Sequence, residues 1–196
     1  MKAQSRTLAL VAVFALIPGL AGAAEWEIDR AHSGIAFTIR HLGISNVKGM
    51  FTDFTGSVAF DEEKLEGGSV SIRVKAGSVD TQNEKRDEHL RGADFFDVAN
   101  YPEIVFTSTG VAKSEEGHVL RGMLRILDME RPVEIPFEYL GSIQDPWGGT
   151  RAGFEGRLKL TREEFGVGWK DTKYRPPLIA NEVVLTFSLE LIKKAG

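Results

Sequence analysis

Apolar and polar residues alternate along most of this chain, and that period of two limits the fold more than any other feature. In the stretch SGIAFTIRH, Ile35, Phe37 and Ile39 fall on one side, while Thr38 and Arg40 fall on the other. The same alternation recurs in SVSIRVK, RPVEIPFEYL, GFEGRLKL and EVVLTFSLEL. Because successive side chains of a β-strand point to opposite faces, each stretch predicts a strand with one apolar and one solvated face.

The number and spacing of these strands predict the architecture. Further strands are expected over residues 50–60, with a break near Asp53, and over residues 104–113 and 118–127. The turn sequences EEKLEGG, KSEEG, LDMERP and QDPWGGT separate them. We therefore expect an all-β protein, an antiparallel up-and-down barrel of about eight strands with one short helical insertion, with a β-sandwich as the alternative. A transmembrane barrel is disfavoured because aromatic residues are not paired at the strand ends.

The first residues have the composition of an export signal. Lys2 and Arg6 precede an apolar run over residues 8–20, and the small residues 21–23 follow it. The run is shorter than the roughly 20 apolar residues that a membrane-spanning helix needs. We expect residues 1–23 to be a cleavable signal peptide, residues 24–196 to be one domain, and the mature protein to be periplasmic. The absence of cysteine excludes disulfides and thiolate chemistry.

Charge and motif content narrow the function classes. The net charge is -4, and lysine and arginine are interspersed with acids, so no basic patch for nucleic acid is expected. No serine lies in a nucleophile elbow and no glycine-rich phosphate loop is present. His89 lacks a partner at the helical spacing of paired metal ligands, so no metal and no cofactor are expected. An enzyme that uses His41 or His89 with a carboxylate is left open.

The segment TQNEKRDEHLRGADFFD predicts the helical insertion. Thr81 and Glu84 form a capping-box pattern, and Gly92 is a helix stop, so a helix is expected over residues 82–91. This helix has little apolar surface, and we expect it to lie on the surface or across an opening of the barrel. Phe95 and Phe96 would anchor it, since burial of one phenylalanine contributes about 1.5 to 3 kcal/mol.

Three stretches of the sequence resemble the YceI-like family of exported bacterial proteins. They are WEIDRAHSGIAFTIRHLGISNVKGMFTDFTGSVAFD, SVDTQNEKRDEHLRGADFFDVANYPEIVFTST and RLKLTREEFGVGW, and the resemblance extends over residues 26–191. The resemblance implies a lipocalin-like barrel around an elongated apolar cavity that binds polyisoprenoids or similar long-chain amphiphiles. The segment KDTKYRPPLIAN departs from the family pattern because it is longer and more basic, and it could reshape the mouth of the barrel.

An interior lined by the apolar strand faces would select a ligand for length and hydrophobicity, at roughly 0.8 kcal/mol for each buried methylene. We therefore predict a periplasmic carrier of a long-chain isoprenoid or similar amphiphile. The alternatives are an enzyme acting on an apolar substrate, and a structural or partner-binding barrel with a filled interior. A homodimer is left open. Head-group donors are expected among His41, Arg86, His89 and Arg91, or among Lys170, Lys173 and Arg175. The predicted ligand-binding residues are Phe37, Ile39, His41, Phe51, Phe60, Arg86, His89, Phe95, Phe96, Phe106, Phe137, Phe154 and Phe187.

Overall fold

The computed structural model describes residues 23–115, 117–169 and 178–195. Residues 1–22 of the predicted signal peptide and the cations Lys170, Lys173 and Arg175 therefore lie outside the described residues. The strands are β1 (Ala24–Ile28), β2 (Gly34–His41), β3 (Ser45–Phe51), β4 (Phe54–Phe60), β5 (Ser69–Lys75), β6 (Val79–Asp80), β7 (Glu103–Ser114), β8 (Gly117–Ile126), β9 (Met129–Gln144), β10 (Thr150–Thr161) and β11 (Ile179–Lys193). The helix α1 (Glu84–Arg91) lies between β6 and β7, and short 3₁₀ turns occur at Leu65–Gly67, Ala76–Ser78 and Arg162–Phe165.

These strands form a closed antiparallel barrel with eight positions around its wall, which confirms the predicted fold. We call each position a stave, whether it is occupied by one strand or by two consecutive strands. Three staves are each made of two consecutive strands, namely β1 with β2, β3 with β4, and β5 with β6. The long strand β11 closes the barrel, because residues 183–188 pair with β2 and residues 191–193 pair with β1. Each stave lies next to its neighbours in sequence, as expected for an up-and-down barrel, and the two longest connections are β6 to β7, which contains α1, and β10 to β11.

The interruption predicted near Asp53 occurs at that residue. The strand β3 ends at Phe51 and β4 begins at Phe54. The next stave is interrupted at the same level, between β5 and β6, and the two breaks are joined by hydrogen bonds. The backbone N–H of Asp53 donates to the Ser78 hydroxyl (3.0 Å), and the N–H of Lys75 donates to the Asp53 carbonyl (2.9 Å). Two adjacent staves therefore bend together, with their freed backbone groups satisfied.

The helix α1 begins two residues later than predicted, and its N-cap was predicted wrongly. Asn83 is the N-cap, and its side-chain oxygen accepts a hydrogen bond from the N–H of Arg86 (3.0 Å). The hydroxyl of Thr81, the predicted cap, instead donates to the carboxylate of Asp87 (2.5 Å). The guanidinium of Arg91 donates to the backbone carbonyls of Gly77 (2.8 Å) and Val79 (2.9 Å), so the helix is held against the barrel wall.

The two ends of the barrel differ in content. We call the end with α1, the β2–β3 turn and the 3₁₀ turn Arg162–Phe165 the helix end, and the end with the β9–β10 turn the far end. Near the far end the interior is filled by side chains. Trp26 and Leu191 are each 1% exposed, and the Trp26 ring stacks on Phe60 with centroids 4.5 Å apart.

Candidate functional site

A cavity of about 460 Å³ occupies the barrel interior towards the helix end. Its volume lies within the range of small-molecule sites, and its wall is largely aliphatic and aromatic. The strand β11 alone contributes Val183, Leu185, Phe187 and Leu189, which alternate with outward residues such as the exposed Thr186. The cavity is therefore made by the same period-two pattern that predicts the strands.

Most of the predicted ligand-binding residues line this cavity. They come from distant parts of the chain, because the barrel brings every stave around one lumen, while α1 and the segment after it lie along the wall. The predicted residues found here are Phe37, Ile39, His41, Phe51, Arg86, His89, Phe95, Phe96, Phe106 and Phe187.

Three predicted residues lie elsewhere. Phe60, Phe137 and Phe154 belong to an aromatic cluster near the far end, where the ring of Phe154 lies 5.2 Å from Phe60 and 6.0 Å from Phe137. They line a second, much smaller cavity of about 70 Å³. Phe187 borders both cavities, as do Val70, Leu120 and Leu189. The large cavity therefore does not extend along the whole barrel, because bulky rings fill the space near the far end.

Glycines opposite two of the cavity rings make room for them. Gly49 pairs with Phe37 across β2 and β3, and Gly156 pairs with Phe187 across β10 and β11. A Cβ atom at either glycine would collide with the facing ring. The rings can therefore lie flat against the neighbouring strand, which leaves the centre of the lumen open.

A hydrogen-bonded group positions Arg86 in the cavity wall. The Nε and Nη2 atoms of Arg86 donate to the hydroxyl (2.7 Å) and the carbonyl (2.8 Å) of Thr81. The buried carboxylate of Asp87 in turn accepts from the hydroxyl (2.5 Å) and the N–H (2.9 Å) of Thr81. The guanidinium thus has a fixed position at the edge of an apolar cavity. Such a group suits a phosphate or another polar head-group.

Aromatic rings surround the opening near α1. The ring of His89 lies 5.0 Å from Phe95 and 5.7 Å from Trp169, and Phe95 lies 5.0 Å from Trp169. Sequence reasoning missed Trp169, which contributes to the cavity wall. It also missed Val47, although alternation backwards from Phe51 would have found it.

The two candidate histidines lack a bonded acid in the described part of the chain. The closest carboxylate to His89 is that of Asp94, with 3.9 Å between Nε2 and Oδ2, which is longer than a hydrogen bond. No carboxylate among residues 23–115, 117–169 and 178–195 lies within 4.0 Å of the His41 ring nitrogens. The geometry therefore offers no preassembled acid–base pair at either histidine among these residues.

Arg162 is a buried cation in the wall of the cavity. Its side chain is 5% exposed, and it donates from Nε to the carbonyl of Ala180 (3.0 Å) and from Nη1 to the carbonyl of Val167 (2.8 Å). These bonds connect the turn after β10 to the start of β11. Arg162 therefore holds the two segments that border the opening.

A network of charged side chains lies outside the lumen. Arg151 donates to Asp145 (2.8 Å), Asp29 (2.6 Å) and Glu190, and Nδ1 of His32 lies 3.0 Å from Asp29. The hydrogen bonds from His32 and Arg151 lower the pKa of Asp29 to about 2. The bond to Asp29 and the negative charges of Asp29 and Glu190 raise the pKa of His32.

This network is the one group of possible metal ligands in the described ranges. Its ligand atoms, on Asp29, His32 and Glu190, lie within 4.8 Å of one another. The guanidinium of Arg151 already bonds the carboxylate oxygens that would face an ion. The arrangement is therefore that of an ion-pair network. Among the same residues, no helix has the length and apolar character needed to cross a membrane.

Comparisons with known proteins confirm the family resemblance. The YceI-like domain matches residues 26–191. A UPF0312 protein of Azotobacter vinelandii is 41% identical over 167 residues, which cover 83% of this chain and 87% of the relative. Protein YceI of Salmonella arizonae is 38% identical over 178 residues, which cover 90% of this chain and 91% of the relative.

Solved structures show the same barrel. BcnA of Burkholderia cenocepacia superposes with a TM-score of 0.74 at 26% identity, covering 84% of this chain and 99% of that protein. The YCEI protein of Campylobacter jejuni gives a TM-score of 0.69 at 28% identity, covering 80% and 91%. A polyisoprenoid binding domain from Saccharophagus degradans gives 0.64 at 12% identity, covering 86% and 98%, and this likeness concerns the fold alone.

Proposed function

We propose that this chain, which belongs to the YceI-like family, is a carrier for a long-chain isoprenoid or similar amphiphilic lipid. The observation that carries the proposal is the cavity of about 460 Å³ with an aliphatic and aromatic wall inside a closed barrel. A structural neighbour of this fold is described as a polyisoprenoid binding domain, which is consistent with the same use of the lumen here.

The cavity wall favours an apolar tail. Each methylene transferred from water into such a wall contributes roughly 0.8 kcal/mol, so about ten of them contribute about 8 kcal/mol before the costs of association. The lining offers few polar groups that could orient a polar substrate along its length. Affinity for this lumen would therefore rise with tail length until the rings next to the far end block further entry.

Arg86 supplies a site for a polar head-group. Thr81 holds two of its donor nitrogens, and in the described ranges its Nη1 atom has no protein acceptor. A phosphate or hydroxyl at the end of a buried tail would accept from this atom. This arrangement supports an amphiphile over a plain hydrocarbon.

A binding role is favoured over an enzyme acting on an apolar substrate. General acid–base catalysis needs a donor and an acceptor within hydrogen-bond reach of the reacting proton. The contact of 3.9 Å between His89 and Asp94 joins two side chains that are each at least half exposed. We place the carrier in the periplasm on the strength of the export-type sequence of residues 1–23.

The direct test is to isolate the natively exported protein, extract it with organic solvent and record the mass spectrum. We expect amphiphiles whose masses differ by isoprene units, and saturable binding of geranylgeraniol by the delipidated protein. A protein that yields no lipid and does not bind geranylgeraniol would refute the proposal.

A matched pair of variants tests whether the lumen is the site. Leu185→Trp adds bulk to the cavity wall without adding charge, so we expect it to weaken geranylgeraniol binding by about tenfold or more. Thr186→Trp, one residue along and on the outer face, should bind as the parent does. Equal affinities of the two variants would show that ligand binds outside the barrel.

A further inference from the structure

The β2–β3 turn exposes two aliphatic side chains at the tip of a hairpin. Ile44 is 83% exposed and Leu42 is 48% exposed. Leu42 has a φ of +51°, a left-handed conformation that side-chain-bearing residues seldom adopt. The turn thus presents leucine and isoleucine to solvent at a position where glycine or asparagine would fit more readily.

This hairpin tip borders the opening of the cavity. His41 and Val47, on either side of the turn, both line the cavity. The N–H of Leu42 donates to the carbonyl of Leu178 (2.9 Å), and Leu178 is itself a cavity residue. A surface that covered the hairpin tip would therefore lie beside the opening.

The hairpin is basic in an otherwise acidic protein. The chain carries no aspartate or glutamate from residue 30 to residue 52, although the whole protein has a net charge of -4. Arg40 and Lys48 are exposed on the two strands of the hairpin. Two acids lie on the strands that flank this hairpin, and both have partners of their own. Asp80 accepts from the N–H of Gln82 (2.7 Å), and Glu182 pairs with Lys159 (3.7 Å). Exposed apolar residues between cations are typical of segments that enter an anionic lipid interface.

The far end provides a contrast within the same molecule. Ile143 and Trp147, near the β9–β10 turn, are 70% and 83% exposed, so exposure of apolar residues alone does not distinguish the two hairpins. The β9–β10 turn carries the acid Asp145, and neither exposed residue lines a cavity. Of these two hairpins, the β2–β3 hairpin is the one that combines exposed cations with residues lining the large cavity.

We propose that the β2–β3 hairpin docks the protein on an anionic lipid membrane, with the opening of the cavity facing that surface. Leu42 and Ile44 enter the interfacial region, and Arg40 and Lys48 contact the anionic head-groups. A ligand then passes between membrane and cavity without crossing water. This proposal rests on the proposed lipid-carrier function and names the surface from which the ligand is taken or to which it is delivered.

The test is flotation of the purified full chain with vesicles. We expect it to float with vesicles of phosphatidylethanolamine and phosphatidylglycerol, and not with vesicles of phosphatidylcholine. The double variant Leu42→Ser/Ile44→Ser should reduce the bound fraction by about tenfold. Arg40→Gln/Lys48→Gln should reduce the bound fraction by about tenfold at low salt. The reduction should be smaller at high salt, because screening already weakens the contacts of these cations with the head-groups. The control Ile143→Ser, at the other exposed hairpin, should stay within about twofold of the parent.

Several outcomes would overturn the docking proposal. They are a parent protein that ignores anionic vesicles, an Ile143→Ser variant that loses as much binding as the Leu42→Ser/Ile44→Ser variant, and a hairpin variant that changes the oligomeric state instead. Geranylgeraniol binding in solution, measured on the same variants, separates this proposal from the carrier function. Unchanged solution affinity with lost flotation supports docking. If the Ile143→Ser control loses flotation as well as the hairpin variants, while all of them still bind geranylgeraniol in solution, docking through this hairpin is rejected and the carrier function is retained.

Discussion

The two ends of this barrel share one set of strands and yet differ in what fills them. Near the far end, Trp26, Phe60 and Leu191 are almost fully buried and leave a space of only about 70 Å³. Towards the helix end, the same strands surround about 460 Å³ of open space. Closure of eight strands leaves an interior that side chains can fill or leave open. The comparison shows that side-chain volume at each level decides which of the two occurs.

The largest effect that we expect comes from one substitution made at both levels of β11. Leu191→Ala, in the packed part, should lower the free energy of unfolding by about 2 to 5 kcal/mol, because it removes contacts on all sides. Leu185→Ala borders empty space and should cost about 1 kcal/mol. Urea denaturation of both variants measures the difference. Equal losses of unfolding free energy in the two variants would show that the cavity is collapsed in solution and that the two ends of the barrel are equally packed.

An intermediate effect is expected at the polar group beside the cavity. Thr81→Val removes a hydroxyl that donates to the buried Asp87 and accepts from Arg86. The variant leaves Asp87 with only the N–H of residue 81 and leaves Nε of Arg86 without its acceptor, so the free energy of unfolding should fall by about 1 to 3 kcal/mol. Thr186→Val, on the outer face of β11, should leave stability nearly unchanged. If Thr81→Val keeps full affinity for an amphiphile with a phosphate head-group, the hydrogen bond from Arg86 to the Thr81 hydroxyl is not needed to position the guanidinium for binding.

The smallest effect concerns the charged network outside the lumen. Because the folded-state pKa of His32 is raised, its contribution to stability is complete below the unfolded pKa of about 6.5 and is lost as the pH rises through the higher folded value. The pKa of Asp29 is lowered to about 2, so its contribution to stability is present above the ordinary pKa of 3.8 and is lost as the pH falls towards 2.

We therefore expect the melting temperature of the parent, relative to His32→Gln, to decline as the pH rises above about 6.5. Thermal melts at several pH values measure this difference. Asp29→Ala removes the carboxylate that accepts from His32 and should make the decline smaller, while the charge of Glu190 remains. A pH-independent difference between the parent and His32→Gln would show that the contact is absent in solution.

Much of the fold was predictable because it depends on local patterns. Alternation in stretches such as GIAFTIRH predicts which face of each strand is apolar, and sequential turns predict the neighbours of each stave. The break at Asp53 and the helix ending at Arg91 were predicted for the same reason. The N-cap was not, because Thr81 and Asn83 are both good caps, and the Thr81 hydroxyl instead bonds the buried carboxylate of Asp87.

The candidate site was predictable only in part. Alternation shows that Phe37 and Phe154 face inward, but it does not show the height of each residue along the barrel axis. Phe37 reaches the large cavity and Phe154 joins the aromatic cluster near the far end because the strands are staggered and tilted. The contribution of Trp169 also depended on the packing of its ring against His89 and Phe95, which lie in a distant part of the sequence.

The amino-acid order alone determined that this chain forms amphipathic strands in sequence, because the period of side-chain direction is a property of the backbone. Tertiary structure decided where the lumen is open and where it is filled. That outcome depends on which rings meet at one level and which lie over a facing glycine, such as Phe187 over Gly156. Packing of this kind is a relation between residues from different strands, and no single stretch of sequence contains it.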